Sequence, residues 1–253
     1  MSKGRLISGI VVAIFAIISY LFSSEYNEIT GEAQRVALSK HQEISLGLKS
    51  APSIAEKHGG LHFDMKAQAK IDRIGTEIVR RNNLGKTGYK FDFHLLANQE
   101  TVNAFALPGG QIFITYALYS RLEDDDQIAG VLGHEIGHVV ARHGAQQLAK
   151  HELTQGLTTA AAIGSESLMG AQLTAAIGKM VNMKYGRDDE IESDLLAVKF
   201  LSQANYKPEA MIRVMEILAQ AGGANGQAEF FSTHPNPENR IERIKEAIGE
   251  STY

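Results

Sequence analysis

His134, Glu135 and His138 stand in the segment VLGHEIGHVVARHG, two histidines four residues apart with a glutamate beside the first. In a helix, positions i and i+4 share a face, so both imidazoles can hold one cation. Glu135 lies about 100° further round the helix, beside that cation but poorly placed to ligate it. This is the geometry of a metal-activated water with a carboxylate base. The competing reading is a buried helix whose two histidines are merely satisfied. It leaves a buried glutamate unexplained, and with it Gly130, Gly133 and Gly137. Each of those glycines costs a helix interior about 1 kcal/mol relative to alanine. Close approach by another helix or by a ligand is the reason expected for them.

A hydrolytic zinc needs a third protein ligand and one open position. The chain has no cysteine, so His, Asp or Glu must supply it. The metzincin spacing would put glycine at 141 and histidine at 144. The chain has Ala141 and Gly144 there, which excludes that class. His143 and His151 fall at no established ligand spacing. Arg142, His143 and Gly144 read instead as the cationic, glycine-marked end of the helix. Further on, in YGRDDEIESDLLAVKFL, Gly186 ends one helix and the acidic cluster opens the next. Glu190 and Asp194 are four apart on one face of it. The first can bind a metal while the second orients a ligand histidine through its outer nitrogen. Asp188 and Glu192 have the same spacing, and acids at a helix N-terminus need no metal to be favoured. Spacing alone therefore leaves the ligand open.

The elements that must position these groups are legible in outline. Glu123 to Asp126 open the histidine-bearing helix, with Asp124 and Gln127 in capping-box spacing. Before it, apolar residues at helical spacings predict one helix from Gly31 to about Lys57 and a second from about Met65 to Asn82. Phe91, Phe93 and Leu95 alternate as in a strand, and Thr101–Ala106 and Gln111–Thr115 read as two strands joined at Pro108-Gly109-Gly110. Everything after that is helical in pattern. The segment from Gly156 to Met183, rich in Ala, Gly and Leu, reads as closely packed short helices, because Glu166 and Lys179 interrupt it. The expected fold class is α+β, helix-dominated, with a small sheet and an active-site helix, in one domain from 25 to 253.

HEIGH followed some fifty residues later by ExxSD resembles the M48 metallopeptidases, the gluzincin family that includes HtpX-like, BepA-like and CAAX prenyl endopeptidases. The resemblance extends to HQEISLGLKS, VNAFALPGGQIFI and STHPNPENRI, and so covers most of the chain after Gly31. It implies His134, His138 and Glu190 as ligands of one zinc ion per chain, Glu135 as the general base, and Asp194 as the residue behind a ligand histidine. It also implies a histidine near the metal at His234, stabilising an oxyanion or regulating access. Read from the residues alone, Asn236 and Pro237 are the cap and first residue of the last helix, which explains them but not His234. The extra membrane spans of HtpX-like members and the tetratricopeptide tail of BepA-like ones are not seen. The expectation is a minimal exported catalytic core.

Export is read from the N-terminus. Lys3 and Arg5 precede seventeen uncharged residues, Leu6 to Phe22, and Glu25, Glu28 and Glu32 follow. As a helix the segment spans about 26 Å, just short of a hydrocarbon core. Residues 1–24 are expected to be a signal anchor, with a cleaved signal peptide and a buried soluble helix as alternatives; Tyr20, Leu21 and Phe22 crowd the natural cleavage site. Either leading reading puts the domain in the envelope of a bacterial cell, on the periplasmic side. With 25 basic and 29 acidic residues, the net charge of −4 gives no reason to expect nucleic acid. The expected function is a zinc-dependent endopeptidase acting on extended segments of unfolded or misassembled envelope proteins, paired along an edge strand at Val102–Ala106 or Gln111–Thr115. The rival reading is a metal-bound periplasmic chaperone or adaptor, against which an intact Glu135 argues.

Overall fold

The computed structural model describes residues 3–164, 184–221, 230–235 and 239–251. Helix α1 (Lys3–Phe22) leads into a short antiparallel hairpin, β1 (Ser24–Asn27) and β2 (Glu32–Arg35). Helices α2 (Lys40–Lys57) and α3 (Met65–Arg81) follow, then β3 (Asp92–Leu96), β4 (Ala104–Ala106), β5 (Gln111–Thr115) and the one-turn α4 (Tyr116–Tyr119). The remaining described elements are α5 (Asp125–Val140), α6 (His143–Gly164), α7 (Arg187–Gln203), α8 (Ala210–Ala221), α9 (Phe230–Thr233) and α10 (Arg240–Ser251). The architecture is α+β and helix-dominated, as expected.

The helix predicted from Gly31 begins nine residues later, at Lys40. Gly31 takes φ +76°, a turn conformation, and donates to the Asn27 carbonyl at 2.8 Å, closing the hairpin instead. Ser39 and Gln42 then cap α2 reciprocally, which fixes its start. The predicted strand Thr101–Ala106 is shortened to β4, because the carbonyl of Val102 accepts from Phe230 outside the sheet.

The sheet order is β3-β5-β4, with β5 parallel to β3 and antiparallel to β4. Gln111–Thr115 is thus the central strand, and the edge reading survives only for β4. Alternation along β5 divides the core. Phe113, with Phe105 and Leu96, meets Ala51 and Ile54 of α2, while Ile112 and Ile114 join Ile71, Ile74 and Ile78 of α3 on the other face.

Helix α5 is buried along its whole length from Gln127 to Val140. Asp124 caps it, accepting from the Gln127 amide at 2.8 Å. Its glycines answer to a helix and not to a ligand. A Cβ at Gly137 would lie 3.0 Å from the carbonyl oxygen of Ser193, and one at Gly133 only 2.6 Å from Leu201 Cδ1, both on α7. The two helices carrying HEIGH and ExxSD therefore pack almost backbone to backbone.

The expected end of α5 is also corrected. Arg142 itself takes the left-handed conformation, φ +59°, and Gly144 lies inside α6. Helix α1 is long and apolar enough to cross a membrane, and the window of it that passes this test is only 6% buried. Ala16 of α1 faces Gly156 of α6. Gly156–Gly164 continues α6 as one long helix, and the rest of the segment read as short packed helices lies outside the described residues.

Candidate metal centre

His134 and His138 leave the same face of α5, Glu190 comes from the first turn of α7, and His234 follows α9. All four are buried, and one ligand atom from each lies within 4.8 Å of the others. His134 Nε2 stands 3.0 Å from His138 Nε2 and 3.5 Å from Glu190 Oε2, and His138 Nε2 stands 3.4 Å from Glu190 Oε1. His234 Nδ1 lies 3.4 Å from His134 Nε2 and 3.0 Å from Glu190 Oε1. A tetrahedral zinc with bonds of about 2.0–2.2 Å needs ligand atoms roughly 3.3–3.5 Å apart. Three of the five distances match that spacing, and the two at 3.0 Å are slightly shorter.

The hydrogen bonds behind the rings point the same way. His134 Nδ1 donates to Asp194 Oδ1 at 2.9 Å, which turns Nε2 inward as the atom free to bind a proton or a metal. The outer nitrogen of His138 is likewise occupied, by His143 Nδ1 at 2.8 Å. Two inward Nε2 atoms 3.0 Å apart need a proton or a metal ion between them. Both oxygens of the fully buried Glu135 also lack any hydrogen-bond partner. A buried, unpartnered carboxylate is costly, and a water or substrate group at a metal is the partner it fits.

Electrostatics favour positive charge at this point. Burial works against an imidazolium at His134, yet Asp194 and Glu190 outweigh it and raise the ring to about 9. Burial holds His138 neutral, well below the usual histidine range. Burial also pushes Glu135 up, only partly offset by His234 and His134. Glu190 and Asp194 move the other way. Against the cost of burial, neighbouring His234 and the two ligand histidines hold Glu190 well below the usual carboxylate range, and Arg240 with His134 does the same for Asp194.

A family model, Peptidase family M48, matches residues 65–248. The chain belongs to this family. The β-barrel assembly-enhancing protease of Escherichia coli (strain K12) is 31% identical over 181 residues, 68% of this chain and 37% of that protein. Mitochondrial metalloendopeptidase OMA1 of Schizosaccharomyces pombe is 32% identical over 170 residues, 66% of this chain and 49% of that protein. The same-named protein of Saccharomyces cerevisiae is 33% identical over 192 residues, 69% and 54%. The chain spans about a third to a half of the length of these curated relatives. As an M48 chain it belongs to metal-dependent peptidases, and its cluster of His134, His138 and Glu190 resembles a gluzincin site.

Three residues of this M48 centre escape a reading of the sequence. Arg240, 1% exposed, bonds Asp194 through Nε at 2.6 Å and Nη2 at 2.8 Å, and its Nη1 reaches Glu190 Oε2 at 2.8 Å. No spacing rule links it to the motif; only its burial among carboxylates does. Tyr185 stacks on His138 with ring centroids 4.0 Å apart, and Phe230 stacks on His234 at 4.3 Å. His143 is no exposed helix-end cation. It is fully buried, and its Nε2 meets Glu192 Oε2 at 2.9 Å. Glu192 thus belongs to His143 and stands apart from the cluster. The cap expected at Asn236 and Pro237 lies outside the described residues.

Proposed function

We propose that the chain is a zinc endopeptidase that cuts extended segments of unfolded or misassembled cell-envelope proteins. The observation that carries the reading is the partnerless, buried carboxylate of Glu135 beside two inward-facing imidazoles. His134, His138 and Glu190 hold one zinc ion. When bound, the metal supplies Lewis-acid polarisation of the scissile carbonyl and makes a water acidic. Glu135, made more basic by burial, takes a proton from the attacking water and hands it to the leaving amine. Asp194 holds His134 in the tautomer that offers Nε2. His234 stands at the fourth corner of the cluster, with Nε2 3.7 Å from Glu135 Oε1, and so governs access of the substrate carbonyl.

The substrate lies along β4 as a further strand, which reads backbone before side chain. Helix α1, whose exposed face carries Ile7, Val11 and Phe15, anchors the domain on the periplasmic side of a bacterial membrane.

Glu135→Gln should keep its zinc while casein digestion falls by at least the roughly 10²–10⁴-fold of a missing general base. Digestion near the parent rate, or digestion that survives a chelator, overturns the mechanism. The substrate class has its own test. A destabilised variant of a model protein should be cut much faster than its stable parent, because cleavage follows the population of open chain. An alkaline phosphatase fused after Tyr253 should be active; an inactive fusion removes the envelope reading.

A further inference from the structure

We infer that His143 and Glu192 form a directed hydrogen-bond chain that positions His138, fixing both its tautomer and its ring. The inference rests on the reading of His138 as a metal ligand and adds two residues to it.

The chain exists because α5 breaks where it does. In a continuous helix, residue 143 would lie about 140° round the axis from His138, on another face. The left-handed turn at Arg142 reverses the path and brings His143 back against the outer nitrogen of His138. A non-glycine residue in that conformation is strained. The Arg142 side chain offsets the strain through contacts to Glu25, Glu43 and the Leu38 carbonyl. The fold thus holds an unfavourable turn in place, and the turn delivers an imidazole to a ligand.

The direction of the chain follows from its far end. The Nδ1–Nδ1 contact of His138 and His143, at 2.8 Å, accommodates one hydrogen and no more. His143 Nε2 faces a carboxylate oxygen of Glu192 at 2.9 Å, and a carboxylate only accepts. A hydrogen of His143 therefore sits on Nε2, and with His138 Nε2 turned to the cluster the single hydrogen of the Nδ1–Nδ1 contact is donated by His138 to His143. That in turn leaves the His138 Nε2 lone pair pointing at the cluster. Reversing either imidazole sets two lone pairs, or two N–H groups, against each other. Tyr185 closes the remaining freedom by stacking on the His138 ring. Glu192 keeps 31% of its side chain in solvent, so the chain runs from the buried centre to the surface.

The test is zinc affinity of the full-length protein, measured by chelator competition and independent of peptidase turnover. His143→Leu removes the acceptor and should weaken zinc binding by roughly the 10–100-fold typical of a lost partner behind a ligand. His143→Asn restores an acceptor oxygen near the Nδ1 position and should recover most of that loss. The visible absorption of the cobalt-substituted protein should change in His143→Leu and return towards the parent in His143→Asn. A merely space-filling role predicts the opposite, since Leu is the bulkier replacement. Glu192→Gln still accepts and should stay within about 3-fold of the parent, whereas Glu192→Lys donates, reverses the chain and should cost about 10-fold. The variants at the partly exposed Glu192 keep the test open if His143→Leu does not fold. Nitrogen-15 spectra of the zinc-loaded parent should show His143 protonated at Nε2 and bare at Nδ1. Parent-like affinity in His143→Leu or in Glu192→Lys, equal losses in His143→Leu and His143→Asn, or a proton on His143 Nδ1 overturns the inference. A parent protein that binds no zinc at all instead overturns the metal-site reading beneath it.

Discussion

Two buried arginines flank the metal centre, each between two carboxylates; both favour the ionised acid, but only Arg240 prevails over burial. Arg240 grips Asp194 through two short hydrogen bonds and touches Glu190, and both acids lie below the usual range even though burial opposes it. Arg142 reaches the equally buried Glu43 with Nε alone, at 3.2 Å. There burial outweighs the arginine, and Glu43 is raised to about 7. The difference is one of how the charge is shared. Arg240 faces buried acids that also have imidazole partners. Arg142 divides its donors among Glu43, Glu25 and the Leu38 carbonyl. An arginine in contact with a carboxylate does not by itself keep that carboxylate ionised; the number and geometry of its donors decide.

The comparison is broken most directly by Arg240→Met. It strands two buried carboxylates, so unfolding free energy should fall by roughly 3–5 kcal/mol, with loss of zinc as Asp194 and Glu190 reorient. Arg142→Met should cost less, because Glu43 can take up a proton and Glu25 can turn to water. Denaturant titrations of both variants at pH 7, with zinc content determined alongside, test this. Equal losses would mean that the two arginines are equivalent and that the sharing of donors is irrelevant.

A smaller effect concerns pH. Glu43 ionises near 4.5 when unfolded but at about 7 in the native protein. Between those values the folded state binds the extra proton, so stability falls as pH rises through the window. The separation sets a ceiling of about 3 kcal/mol on the loss. Glu43→Gln carries no such proton, and its stability relative to the parent should climb from pH 5 to pH 7.5. Parallel curves for parent and variant would place Glu43 with Asp194, as an acid that its arginine does keep ionised.

Why the metal ligands were foreseeable and the roles of the two arginines were not is itself physical. The metal ligands are local patterns, two histidines one helical turn apart and an acidic helix start, and such patterns survive in one dimension. Even there, Glu190 and Glu192 were indistinguishable by spacing, and family resemblance separated them. Arg240 acts across 46 residues on Asp194, and His143 across 49 on Glu192; only packing brings these pairs together. The fold shows the same division. The starts of α5 and α7 and the turn before β5 are written in caps, acids and Pro-Gly-Gly. The strand Glu32–Arg35 was misread as helix because its pairing rests on Gly31 and on Asn27, whose side chain reaches the Val140 carbonyl 113 residues away. The order β3-β5-β4 is likewise a tertiary fact, since nothing in QIFIT marks it as the middle strand.

The smallest expected effect sharpens the comparison most. Glu25 is the exposed partner of Arg142, with half of its side chain in solvent. A pair so placed contributes about 0–1 kcal/mol, and salt screens it. Glu25→Gln should therefore leave stability at pH 7 within about 1 kcal/mol of the parent. Its consequence should appear elsewhere. Glu25 competes for the guanidinium and adds negative charge near Glu43, and both effects push Glu43 upward. Removing that charge frees Arg142 for Glu43 alone, which is closer to the arrangement around Arg240. The pH window over which stability falls should then narrow from its upper end, as read from unfolding curves of Glu25→Gln between pH 5 and pH 8. An unchanged window would mean that burial alone sets the Glu43 proton and that sharing of Arg142 has no part in it.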